Sequence, residues 1–367
     1  MKKIFLLFAS VMSALWSEAA IFTVDNTPVS AAQYSSISNA VTAASSGDTI
    51  LVYGSGSSYG AVTVNKKLIF VGNAGVDPEV SNESPPEVSY FYFNSANASG
   101  TVITGFNIGY IDVAAGVSNV GIYNNYMRSN TNAMYFRSAG INNWVIEGNA
   151  MEVLPGGRVF YDATGGVANI LFKNNYVEMN SYYSELFYNL NSAYTFRNNV
   201  FIIRNNNGYY PFYSCNTVLF ENNIFWMVTN NPSYPLLLDI TSQQCANCVF
   251  NNNIIYNSGG ATMTNISAIG NGVTGNNNIM NQNPQFVNFL ESGGYTITED
   301  YQLAAGSPGK NAGTDGTDIG LYGAYYKWEN RKYPKSFPHQ EIFNVINTTV
   351  PQGQPININL KAKKAPN

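Results

Sequence analysis

Charge is scarce in this chain. Of 367 residues, 18 are Lys or Arg and 22 are Asp or Glu, a formal net charge of −4. Nucleic-acid binding needs clustered cations against phosphate, and that balance gives it no support. Histidine is nearly absent: the single copy, His339, leaves no set from which to build a Ser–His–Asp triad or a histidine metal centre. After the first 19 residues no apolar run is long enough for a transmembrane helix. Aromatics, by contrast, are abundant, with 26 Tyr and 21 Phe, which argues against disorder.

The opening residues combine Lys2 and Lys3, an apolar run over 4–15, and Ser17-Glu-Ala19 as a small-x-small cleavage site. This predicts a signal peptide over 1–19 and a mature chain that is secreted or held at the cell surface, without a transmembrane segment.

What the chain has in place of charge is a repeat. Phe172-Lys-Asn-Asn-Tyr176, Phe196-Arg-Asn-Asn-Val200, Phe220-Glu-Asn-Asn-Ile224 and Phe250-Asn-Asn-Asn-Ile254 share one pattern, with looser copies around Asn125, Asn149 and Asn278. Counted on Asn125, Asn149, Asn175, Asn199, Asn223, Asn253 and Asn278, the steps are 24, 26, 24, 24, 30 and 25 residues. A period of that size means one supersecondary unit per repeat, stacked as a solenoid. Each unit is short β-branched and aromatic runs around a polar break, with no room for a helix, so the unit is a coil of strands. The predicted fold is an all-β, single-stranded, right-handed parallel β-helix. The repeated Asn tolerates a left-handed corner, and its amide can bond the amide one rung away, about 4.8 Å along the coil. An inward stack of Phe172, Phe196, Phe220 and Phe250 would accompany that asparagine ladder.

Residues 34–46, with Ile37, Ala40, Val41 and Ala44 on one face, predict a helix that caps the first coil. Three prolines mark 76–87 as a loop leaving the coil. The β-helix is expected over 20–325 with regular rungs over about 100–281, and 326–367 as a linker and a C-terminal β-hairpin tail.

Two stretches carry a resemblance. Ala43-Ala-Ser-Ser-Gly-Asp-Thr-Ile-Leu-Val52 with Leu68-Ile-Phe-Val-Gly72 resembles the opening of secreted right-handed β-helix proteins of the pectin-lyase-like superfamily. Asn283-Pro-Gln-Phe-Val-Asn288, Tyr301-Gln-Leu-Ala-Ala-Gly-Ser-Pro308 and Asp318-Ile-Gly-Leu-Tyr322 resemble the closing segment of the same proteins, bacterial ones especially. The resemblance implies fold, not activity, because the superfamily spans lyases, glycosidases, esterases and adhesins.

The stretches 133–137, 158–162, 185–189 and 210–214 align as two adjacent aromatic columns: Tyr135, Phe160, Phe187, Phe212, and Phe136, Tyr161, Tyr188, Tyr213. Neighbours in a strand point to opposite faces, so one column faces out, and the tyrosine-rich one is expected there because its hydroxyls want water or a partner. A row of rings on a stiff face suits polysaccharide or a cell-surface glycan, held by Phe136, Tyr161, Tyr188 and Tyr213, in an adhesin or scaffold. A purely structural ladder is one alternative.

The other alternative is a polysaccharide lyase or another carbohydrate-active enzyme. By resemblance to superfamily lyases, Arg137 or Arg158 would be the base and Asp162 and Glu185 calcium ligands. No cofactor is expected otherwise, and no lyase signature surrounds either Arg. Asp315-Gly-Thr-Asp318 reads as turns, having too few carboxylates for calcium. In the variable position of the repeat, Glu147 with Lys173 and Arg197 with Glu221 should pair along the surface. Cys215 and Cys245 are one 30-residue step apart, so they occupy equivalent places on neighbouring rungs, either bridged or as buried thiols, with Cys248 unpaired.

Overall fold

The computed structural model describes residues 19–28, 30–73, 85–180, 185–204, 211–228, 245–296, 299–326 and 328, and the backbone of His339–Val345 and Ile358–Lys363. All but the last residue of the expected leader, most of the 76–87 loop and most of the linker before His339 lie outside these residues.

The chain winds as a parallel β-helix of about nine turns. One sheet has ten strands, each paired in parallel with the strand one turn away, from Ile21–Val24 through Asn142–Glu147 and Ala168–Lys173 to Val249–Asn251. A second sheet of 14 strands forks at Asn107–Val113. The early residues of that strand pair with Tyr126–Ser129, and its later residues with Asn132–Phe136. From there each turn lays two short strands where earlier turns lay one, so the second sheet becomes two walls.

The asparagine pair divides the labour expected of one residue. The first Asn takes the left-handed corner: φ is 50° at Asn124, 51° at Asn174, 56° at Asn222 and 52° at Asn252, with Gly148 in the same place. The second Asn is buried and forms the ladder. Asn149 Nδ2 donates to Asn175 Oδ1 at 2.9 Å, Asn175 to Asn199 at 3.2 Å, Asn199 to Asn223 at 2.9 Å and Asn223 to Asn253 at 3.0 Å. Each Oδ1 also accepts the backbone N–H of the Asn one rung back. The ladder thus satisfies backbone groups that the corner takes out of the sheet. Beneath it Phe172, Phe196, Phe220 and Phe250 stack, their ring centroids 5.4, 5.0 and 4.5 Å apart in turn.

A second asparagine ladder lies at another corner, six residues ahead of the first. Asn119, Asn143, Asn169 and Asn247 all have positive φ. They are exposed, and Asn143 donates to Asn119 at 3.2 Å and Asn169 to Asn143 at 3.0 Å.

The N-terminal helix is Ile37–Ala43, shorter than the 34–46 expected, and buries Ile37, Ala40 and Val41 against the first turn. At the other end the segment 284–328 does not continue the coil. It runs back over the outside of the wall holding Tyr176, Val200, Ile202, Ile224, Trp226 and Ile254, which it buries under Phe286, Phe289, Tyr301, Leu303, Ile319 and Leu321. The corner asparagines fasten it: Asn174 donates to the carbonyls of Leu321 and Gly323, and Asn252 to that of Ala312. In the tail, His339–Val345 and Ile358–Lys363 form an antiparallel hairpin.

Candidate functional site

The wall made by Glu87–Phe93, Asn107–Val113, Asn132–Phe136, Arg158–Asp162, Phe187–Tyr188 and Phe212–Tyr213 carries an outward column of rings. Register runs Tyr92, Asp112, Tyr135, Tyr161, Tyr188, Tyr213. All six side chains are half-buried. The alternate positions, Phe91, Ile111, Met134, Phe160, Phe187 and Phe212, point into the core.

The first rung of the expected alignment is out by one residue. Tyr135, not Phe136, pairs with Tyr161, and Phe136 is fully buried beside Trp144. The step here is 26 residues instead of 25, and a one-residue slip moves every side chain of a strand to the opposite face. Phe136 therefore leaves the candidate surface and Tyr135 joins it.

The rings pack on one another. Centroids are 5.0 Å apart for Tyr135–Tyr161, 4.7 Å for Tyr161–Tyr188 and 4.9 Å for Tyr188–Tyr213, the last pair nearly parallel. Arg137 fills the gap that Asp112 leaves in the column. Its Nε and Nη2 donate to the two Asp112 oxygens at 2.7 and 2.6 Å. Its guanidinium carbon lies 5.7 Å from the Tyr92 ring centre and 5.4 Å from that of Tyr135. Arg158 repeats the arrangement, paired with Glu185 at 3.0 Å and 4.9 Å from the Tyr188 ring centre. Tyr90 and Tyr110 form a second stacked pair, 4.7 Å apart, two residues upstream on the same strands.

Electrostatics hold Arg137 and Tyr188 in one charge state each. The Asp112 hydrogen bonds raise the pKa of Arg137, against a smaller opposing effect of burial. That is the wrong direction for a residue asked to accept a proton near neutrality. Tyr188 is also raised, first by its loss of solvent and then by the neighbouring phenols of Tyr161 and Tyr213, so it remains a neutral hydroxyl.

The four residues of the lyase alternative do not meet at one point: two pair with each other, one pairs with Asp112 and one faces inward. Arg137 and Arg158 are each committed to a carboxylate, and Glu185 is the partner of Arg158. Asp162 is fully buried and turned inward, because it follows outward Tyr161 by one residue. Its Oδ1 accepts the N–H groups of Thr164 and Gly165, and its Oδ2 accepts the Tyr194 hydroxyl at 3.1 Å. It holds a corner of the coil and lies off the outward face that carries the rings. Asp315 likewise caps its own turn by accepting from Thr317. Glu147–Lys173 and Arg197–Glu221 pair at 3.1 Å on the outside of the ten-stranded sheet, away from the rings.

Cys215 and Cys245 occupy paired register positions on neighbouring rungs, yet the disulfide joins Cys245 to Cys248 and Cys215 is a buried free thiol. Parallel register partners stand about 4.8 Å apart, and a disulfide wants Cβ atoms about 3.8 Å apart, which a stacked sheet does not readily close. Between Cys245 and Cys248 the left-handed turn at Asn247 folds the chain back, bringing their Cα atoms to 6.2 Å.

Tyr90, Tyr92, Tyr110 and Asp112 escaped the sequence reading. Their signal is the alternation of Tyr90-Phe-Tyr-Phe93 and Tyr110-Ile-Asp-Val113, inward at Phe91, Phe93, Ile111 and Val113 and outward at Tyr90, Tyr92, Tyr110 and Asp112. Tyr182, Tyr183, Tyr209 and Tyr210, near the column in sequence, lie outside the described residues. In comparisons with known proteins, no family model and no curated protein matches this chain.

Proposed function

We propose that the tyrosine wall binds an extended polysaccharide, and that the chain is a secreted or cell-surface β-helix of the bacterial pectin-lyase-like kind acting as an adhesin or scaffold. One observation carries the reading: Tyr135, Tyr161, Tyr188 and Tyr213 stand half-exposed on four consecutive rungs. A straight row of identical groups at about 4.8 Å intervals suits a polymer lying along the coil, not a compact metabolite. A sheet of stacked parallel strands fits the same class, as a rigid backbone loses little freedom on binding.

The test is electrophoresis through gels containing dissolved polysaccharides. Wild-type protein should be retarded by at least one polymer, and the Tyr161→Ala/Tyr188→Ala double variant should run freely with an unchanged far-UV spectrum. Retardation that survives the double variant overturns the assignment of the wall. A wild-type chain retarded by no polysaccharide supports the structural alternative.

A further inference from the structure

We infer that the polymer taken by this wall is uncharged, and that the tyrosines hold it through their hydroxyls and not by stacking on it. The inference rests on the polysaccharide reading above and narrows it to a ligand class and a mode of contact.

The mode follows from ring packing. Sugar platforms present open ring faces, but here each ring is flanked by its neighbours along the column, tilted by 51° and 44° at the first two contacts and nearly parallel at 11° at the last. Tyr161 lies between Tyr135 and Tyr188, and Tyr188 lies between Tyr161 and Tyr213, at centroid separations of 4.7 to 5.0 Å. Tyr135 has Tyr161 on one side and the Arg137 guanidinium on the other. On this packing, edges and hydroxyls, not faces, are what the rings would offer a ligand lying along the column. A hydroxyl both donates and accepts one hydrogen bond or more, so a row of them matches a ligand that repeats hydroxyls along its length. Burial and its phenolic neighbours keep Tyr188 protonated, which preserves the donor.

The charge class follows from the two arginines. Each is already bonded to a carboxylate within the wall, Arg137 to Asp112 through two hydrogen bonds and Arg158 to Glu185 through Nε and Nη2. An acidic polymer would have to compete with those carboxylates for the same cations, against a chain whose formal charge is −4. A neutral polymer meets neither opposition. It can also take the guanidinium N–H groups that the carboxylates leave free.

The discriminating variant is Tyr161→Phe/Tyr188→Phe, which keeps both rings and their packing and deletes only the hydroxyls. Wild type, this variant and the Ala double variant are run through gels holding a neutral glucan, a neutral mannan or a polyuronate, at low and high salt. The expected result is retardation by a neutral polymer, unaffected by salt, and weakened about tenfold or more in the Phe variant by two lost hydrogen bonds. A Phe variant that binds like wild type while the Ala variant does not would overturn the hydroxyl mode and leave the polysaccharide reading standing. Salt-sensitive retardation by the polyuronate alone would overturn the neutral class. An Ala variant that binds like wild type would overturn the polysaccharide assignment itself.

Discussion

Asn223 Nδ2 donates to Asn253 Oδ1 at 3.0 Å, although 30 residues separate them where the steps on either side span 24 and 25. The amide contact nevertheless falls within the 2.9 to 3.2 Å range of the other steps. The contact at the corner thus does not depend on how many residues separate the two rungs.

Asn223→Leu should therefore be costly. The side chain accepts from the N–H and the amide of Asn199 and donates to Phe196 O and Asn253 Oδ1. Leucine removes all four bonds and strands a buried N–H, for an expected loss of about 2 to 4 kcal/mol. Urea unfolding should show a lower midpoint at unchanged slope, and an unaltered midpoint would contradict the role of the ladder.

Asp162→Ala should destabilise the chain by about 2 to 3 kcal/mol, because Thr164 N–H, Gly165 N–H and the Tyr194 hydroxyl lose a buried acceptor. Polysaccharide retention measured well below the melting temperature should persist. A variant of wild-type stability that loses function would instead make Asp162 a functional group.

Peptide mapping under non-reducing conditions, with free thiols blocked during unfolding, should recover a Cys245–Cys248 link and one blocked thiol at Cys215. Burial pushes the Cys215 thiol up to about 12, so native protein should resist alkylation there at neutral pH. A Cys215–Cys245 peptide would reverse this assignment.

Alkaline pH should unfold the protein in a defined window. Burial is the chief cause that raises Tyr176, Tyr194 and Tyr301 above the ordinary phenol value of 10.0, each with a carboxylate bond adding to it. Cys215 is raised from 9.0. A group raised in the folded state stabilises it fully below the unfolded-state pKa and loses that contribution as pH climbs through the folded value. Stability should be level in these groups up to about pH 9, decline first through Cys215 and then steeply above 10 through the phenols. Melting temperature against pH, followed with phenolate absorbance, checks the order, and Cys215→Ala should delay the onset. A decline that begins near neutrality would point to other groups.

Counting along the chain was enough for whatever repeats directly from rung to rung. In-register stacking turns a spacing of 24 to 30 residues into a contact, so the asparagine ladder, the phenylalanine stack and the pairs Glu147–Lys173 and Arg197–Glu221 were legible in the sequence. The helix face of Ile37, Ala40 and Val41 was legible from its own period. Tertiary structure decided what depends on an exact count through a turn or on contacts that do not repeat. Tyr135 faces out and Phe136 and Asp162 face in because one residue of loop length sets the parity of the strand, and loops absorb such residues without trace in the pattern. Cys245 joins Cys248 because a local turn brings them together while a rigid sheet holds Cys215 at rung distance. The segment that returns over Tyr176 and Trp226 is fastened by bonds such as Asn174 to Leu321 and Tyr326 to Asn124, between residues 147 and 202 positions apart, for which no periodic signal exists. The sequence accordingly carried the coil and the outward face of Tyr161, Tyr188 and Tyr213, and the folded chain decided that Tyr135, not Phe136, continues it.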